Sequence, residues 1–165
     1  MTNKKHIAGI AATLMLLWGC AGKPLYLEYQ TIPASGWHAD STLTFTTAIT
    51  DTTSAYDVLL YLRHTDRYQY QNIWLFIDNS VSETADSIRE NTLLGRDTIE
   101  FYLADERGRW LGNGYGNIRE MPVLYMQNVR YKHAGNYSYT VSQGMRDEML
   151  KGVSDIGIKI VRHNE

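Results

Sequence analysis

From Pro24 onward, apolar residues recur at every second position, and that spacing leaves little room for any fold but β-sheet. Leu43, Phe45, Thr47 and Ile49 alternate with polar neighbours, as do Tyr56, Val58, Leu60 and Leu62. Ile73, Leu75 and Ile77 alternate with Trp74 and Phe76, which predicts a strand covered on both faces. Ile99, Phe101 and Leu103 form a further run, residues 123–131 and 137–143 two more, and Ile156, Ile158 and Ile160 the last. Turn residues separate the runs: Asp51 to Ser54, read as a hairpin connection, Ala104 to Gly108, and His133 to Asn136. Residues 79–96 are polar and mixed and read as a long loop with a helical turn. One short helix is expected over Met145 to Leu150, with Met145 and Met149 on one face, Asp147 and Glu148 early, Lys151 late and Gly152 just beyond. No βαβ alternation and no repeat is visible. The expectation is an all-β, antiparallel β-sandwich over 26–165, jelly-roll or immunoglobulin-like, with that one C-terminal helix.

Composition narrows the classes. At 165 residues, 44% apolar and 21% charged, the chain suits one globular domain. Lys+Arg number 16 against 18 Asp+Glu, well mixed, which argues against a nucleic-acid surface. Twelve Tyr and four Trp against three Phe point to amphipathic aromatics on half-exposed sheet faces. A single Cys excludes a disulfide framework and a cysteine-based zinc site.

That Cys stands in a telling place. Lys4 and Lys5 precede the apolar stretch Ile7 to Leu17, too short to span a membrane as a helix, and Leu17-Trp18-Gly19-Cys20 follows. This is the layout of a secretory signal peptide ending in a bacterial lipobox. Residues 1–19 are expected to be the signal peptide, Cys20 the lipid-bearing first residue, and 20–25 a lipidated tether. Several acyl chains on Cys20 would anchor the domain durably in membrane lipid. No Asp follows Cys20 and no acidic cluster lies near it, which favours the outer membrane with the domain facing the periplasm.

Catalytic chemistry finds little support. The Gly112, Gly114, Gly116 spacing lacks the following helix that a phosphate loop needs. His38, His64, His133 and His163 are scattered beside turns and read as solvated loop residues without metal-ligand spacing. Asp97 and Glu100 fall on opposite faces of one strand. No catalytic residue, cofactor or metal is assigned. An envelope hydrolase, requiring carboxylates gathered from different strands, ranks last. The aromatics are the one binding signal: Tyr68, Tyr70, Trp74, Trp110 and Tyr115 are candidate residues for docking a partner protein or stacking on a glycan.

A series of short motifs begins at Cys20 and runs through Trp37-His38-Ala39-Asp40, Tyr61-Leu62-Arg63 and Tyr68-Gln69-Tyr70-Gln71-Asn72-Ile73-Trp74-Leu75. It resumes at Asp97-Thr98-Ile99-Glu100, Leu103-Ala104-Asp105, Gly108-Arg109-Trp110-Leu111-Gly112 and Gly135-Asn136-Tyr137. It closes with Gln143-Gly144-Met145-Arg146, Leu150-Lys151-Gly152 and Asp155-Ile156-Gly157. This order resembles the GldH family of lipoproteins of Bacteroidota. The resemblance implies a non-enzymatic accessory lipoprotein of the cell envelope, associated with gliding motility and type IX secretion, whose partners are other envelope proteins. Only Cys20 carries over as a functional residue. The alternative from the residues themselves is a glycan-binding lipoprotein.

Overall fold

The computed structural model describes residues 23–82 and 92–164. The expected signal peptide and Cys20 lie outside these residues. The eleven strands are β1 (Tyr26–Thr31), β2 (Trp37–His38), β3 (Leu43–Ile49), β4 (Tyr56–Thr65), β5 (Asn72–Ser82), β6 (Thr92–Tyr102), β7 (Asn113–Tyr115), β8 (Ile118–Val129), β9 (Gly135–Gln143), β10 (Met149–Leu150) and β11 (Val153–Arg162). One sheet has the order β1-β11-β4-β8-β7, the other β3-β9-β5-β6, and β10 pairs with β2. All pairings are antiparallel.

The alternation in sequence becomes the two faces of each sheet. Val58, Leu60 and Leu62 of β4 and Ile156, Ile158 and Ile160 of β11 point inward from one sheet. Phe45, Ile73, Leu75, Ile77 and Val141 point inward from the other, and all of these are at most 1% exposed. Each such side chain contributes about 1.5–3 kcal/mol by leaving water. Along one side the sheets approach closely: the Gln30 amide on β1 donates to the Thr44 carbonyl on β3 at 2.7 Å.

The molecule has two distinct ends. At the entry end, the Leu25 N–H donates to the Ile160 carbonyl, and the chain turns from β3 to β4. There the Asp51 carboxylate accepts from the Thr53 and Ser54 backbone and hydroxyls and from Arg162. Those donors hold it well below the usual carboxylate range. Tyr131 stacks between Tyr56 and Tyr137, at 5.6 and 4.4 Å, and its hydroxyl is hydrogen-bonded to that of Tyr139. The far end holds the segments after β4 and β6, the tip of the β7–β8 hairpin, and the stretch between β9 and β11. Ten residues of β4 separate the two ends by about 30 Å.

Several expectations are corrected. The short helix over Met145 to Leu150 does not form. The Gln143 side chain accepts from the Met145 N–H and donates to the Asp147 carbonyl, both at 2.7 Å, and so rounds this stretch as a loop. Leu150 is fully buried in β10, opposite Trp37, and that packing outweighs a helix of under two turns. The Asp51 to Ser54 turn is not a hairpin, because β3 and β4 belong to different sheets and the turn crosses between them. Both described ends of the loop read over 79–96 are strand, since β5 runs to Ser82 and β6 begins at Thr92, and the helical turn expected between them lies outside the described residues. Tyrosines were expected on half-exposed faces, yet Tyr56, Tyr68, Tyr131, Tyr137 and Tyr139 are all buried.

Gly152 adopts φ +91°, and a Cβ there would lie 2.3 Å from the Tyr68 nitrogen. Gly108 also has positive φ, +75°, but faces open space. Gly152→Ala should therefore cost about 3 kcal/mol, against about 1 kcal/mol for Gly108→Ala, in urea unfolding followed by tyrosine and tryptophan fluorescence.

Candidate functional site

All five aromatic residues singled out from the sequence lie toward the far end, but the structure divides them. Tyr68 belongs to the core. It is 3% exposed, its hydroxyl donates to the Asn72 carbonyl at 2.8 Å, and burial pushes its phenol pKa up. Trp110 is half-buried, edge-on to the His64 ring at 4.6 Å, and it is held there by a bridge to Ala104. The turn carrying it is fixed by Asp105, whose carboxylate accepts from the Arg107 and Arg109 backbone. Tyr115 stands alone at the tip of the β7–β8 hairpin, 96% exposed.

Tyr70 and Trp74 do come together. With Asn72, Gly144, Met145 and Arg146 they line a shallow groove of about 380 Å³. Tyr70 is half-buried and its hydroxyl donates to Asp147 at 2.8 Å, a bond that raises its pKa. Trp74 is exposed, and its backbone N–H donates to the Met145 sulfur at 3.4 Å. The groove continues along the outer face of the sheet. Phe76 follows Trp74 on the same face of β5, and Tyr102 stands opposite Asn72 on β6. Trp74, Phe76 and Tyr102 are 39%, 37% and 58% exposed. Gly144 makes this face flat. A Cβ there would sit 3.1 Å from the Phe76 ring and 3.3 Å from the Trp74 Cβ. Outward from Phe76 the face is lined with Ser142, Thr140, Ser138, Thr44 and Thr46, cross-linked by hydroxyl pairs at 3.0 and 2.8 Å.

Phe76, Tyr102 and Gly144 were not among the sequence candidates. The signal for Phe76 was present, since β5 reads as apolar on both faces. What the sequence could not supply is that no described element of this chain covers the second face. The expected double cover is thus corrected: the inner face is packed and the outer one is open.

Asp97, Glu100, His163 and His38 are engaged in hydrogen bonds or ion pairs within the domain. Asp97 points inward and Glu100 outward, as their spacing requires. The Asp97 carboxylate accepts from the Tyr125 hydroxyl and from the Asn79 amide, and Glu100 accepts from the Asn72 amide at 2.6 Å. His163 pairs with Asp57 at 2.8 Å, and His38 lies 3.5 Å from Glu148. His64 departs from the expected solvated loop histidine. It is the fifth inward position of β4, fully buried, with Nδ1–H donating to the Thr65 carbonyl at 3.1 Å and Nε2 without a partner. Among the described residues, no group of three or more His, Cys, Asp or Glu is placed to hold a metal ion.

Fold and surface together define an all-β sandwich domain with one open aromatic sheet face. The chain belongs to the GldH lipoprotein family, whose model matches residues 24–160. It is 30% identical over 155 residues to the gliding motility lipoprotein GldH homolog of Christiangramia forsetii, covering 90% of each chain. It is also 30% identical over 153 residues to the gliding motility lipoprotein GldH of Flavobacterium johnsoniae, covering 88% of this chain and 89% of that one. Among solved structures, the infectious bursal disease virus VP2 subviral particle matches at 15% identity and a TM-score of 0.35. That match spans 87% of this chain and 31% of the viral one, and so loose a likeness carries no argument.

Burial lowers the His64 pKa beneath its ordinary 6.5 and keeps the ring neutral in the folded state. The unfolded chain takes up the proton near 6.5, so this stability is whole above that pH and is lost as the pH falls below it. Wild-type melting temperature should decline from pH 7 to pH 5, and His64→Leu should flatten that slope in thermal scans.

Proposed function

We propose that this chain is a lipid-anchored, non-enzymatic accessory component of the gliding motility and associated type IX secretion machinery, and that it acts by docking another envelope protein. Its leader is removed before Cys20, and acyl chains on that residue hold the entry end at the lipid surface. The reading is supported by family membership, by the names of its relatives, and by one geometric observation that carries the docking claim. The open face bearing Trp74, Phe76 and Tyr102 lies toward the end of the domain opposite the point where the chain enters it. A short tether at Leu25 would leave that aromatic face directed away from the membrane and free to meet a neighbour. Exposed Trp and Tyr on a flat, well-supported surface are the residues that dominate protein-protein affinity. The orientation follows the sequence reading: outer membrane, domain in the periplasm.

A glycan-binding role is the second reading. The groove shared by Tyr70, Asn72, Trp74 and Arg146 offers a ring and polar groups together. It is less well supported, because Tyr70 is half-buried and its hydroxyl is already engaged by Asp147. Calorimetry against a panel of envelope polysaccharides should give no heat.

In a gliding host lacking the native gene, Trp74→Ala with Phe76→Ser should abolish colony spreading while leaving the protein folded and membrane-bound. Each ring is more than half covered, so circular dichroism must confirm that the double variant is folded, and normal spreading by a folded, well-expressed variant would refute the docking role. Cys20→Ser should move the protein out of the membrane fraction, read by fractionation and fatty-acid labelling; a still-labelled mutant would refute the anchor.

A further inference from the structure

β6 is an edge strand of eleven residues. One side pairs with β5 from Tyr102 to Thr92, with a register shift that leaves Leu94 as a bulge between Leu93 and Gly95, and no described strand pairs with the other. Long open edges invite pairing with another chain, and charged side chains usually guard them. Asp97 points into the sandwich, a placement that elsewhere guards an edge, but here Tyr125 and Asn79 already satisfy its carboxylate, so a strand added at the edge leaves it hydrogen-bonded. Along the regular stretch the outward-facing residues read Arg96, Thr98, Glu100, Tyr102, all exposed, and beyond them Leu93 and Leu94 at the bulge are exposed as well.

That pattern is complementary to its own reverse. If a second β6 runs antiparallel with Thr98 opposite Thr98, then Arg96 faces Glu100 twice, and the exposed Leu94 at each bulge lies toward the Tyr102 end of the other copy. Leu94 and Tyr102 are both 58% exposed, large apolar groups with no cover in one copy. Arg96 already makes a bidentate pair with Asp78, at 2.6 and 2.7 Å, but a guanidinium has five donors and accommodates a second carboxylate. Other registers that keep like faces together fit worse. Centring on Arg96, Asp97 or Glu100 sets identical charges against each other, and cross-strand like charges destabilise. Centring on Ile99 sets Asp97 against Phe101.

We propose that two copies of this chain pair edge to edge through β6, about a twofold axis at Thr98, joining two four-stranded sheets into one of eight. The interface is isologous, with each copy giving and receiving the same contacts. It places the Trp74 and Phe76 faces of both copies on one continuous surface, since these residues lie opposite Glu100 and Thr98. A single strand edge buries limited area, so the pairing is weak in dilute solution and is favoured where a shared membrane concentrates the copies. The proposal stands apart from the docking of another envelope protein, since β6 pairing uses the edge of the sheet and docking uses its face.

The test uses the full-length chain in native membranes. Thr98→Cys places a thiol on the axis, where cross-strand Cα separations match those of a disulfide. Oxidation should give a covalent dimer on a non-reducing gel. Thr46→Cys, also exposed but on the opposite edge strand β3, should give none. Adding Glu100→Arg to Thr98→Cys should cut the dimer yield about tenfold by facing two arginines, with circular dichroism confirming an unchanged fold. No dimer from Thr98→Cys, equal yields at both positions, or insensitivity to Glu100→Arg would each overturn the proposal.

Discussion

Everything in this molecule rests on two rows of aliphatic side chains that close against each other between the sheets. β4 and β11 present Leu60, Leu62, Ile158 and Ile160; β5 and β9 present Leu75, Ile77 and Val141. Because side chains alternate, the residues that fill this layer also dictate which residues face out. Leu75 cannot be inside without Trp74 and Phe76 being outside. The open aromatic face is therefore a geometric consequence of the core, and the interest lies in the fact that the chain has put rings there instead of the Thr and Ser found on β9 and β3.

This pairing of constraints explains what was legible in the sequence. The long inner strands, their inward residues and the fold class follow from period two, whereas β1 and the short β2, β7 and β10 were not among the runs read. The separation of Asp97 from Glu100 onto opposite faces was equally readable. The helix and hairpin errors share one cause: local patterns were overruled by distant partners. Met145 to Leu150 carries helix signals, but Leu150 belongs against Trp37, more than a hundred positions away, and Gln143 supplies the hydrogen bonds of a loop. Asp51 to Ser54 has hairpin chemistry, yet whether a turn joins neighbours or crosses between sheets depends on topology, which turn residues do not encode. His64 looked like a loop histidine because it stands near a turn; its parity in β4 was the better guide.

The candidate site was half legible. Tyr70 and Trp74 were found because aromatic residues cluster there, and Tyr68 and Trp110 were included for the same reason although they support His64 in the core. Composition cannot distinguish a ring that packs from a ring that waits for a partner. Parity can, once the sheets are known. Phe76 and Tyr102 share a face with Trp74, and Gly144 is small so that these rings lie flat against the sheet. The polarity of the domain has the same origin. The entry end is closed by Asp51, by the tyrosine stack and by the His163–Asp57 pair, whereas the opposite end carries the groove and the hairpin tip.

The central claim is that the Trp74–Phe76 face is occupied in the living envelope. Site-specific photocrosslinking tests it most directly, with a photoreactive phenylalanine replacing Phe76 in the anchored, full-length protein and, as a control, replacing Leu59 on the outer face of the other sheet. The account predicts a discrete crosslinked species to another envelope protein from position 76 and none from position 59. Absence of any such species from position 76, or the same species from both positions, would contradict it.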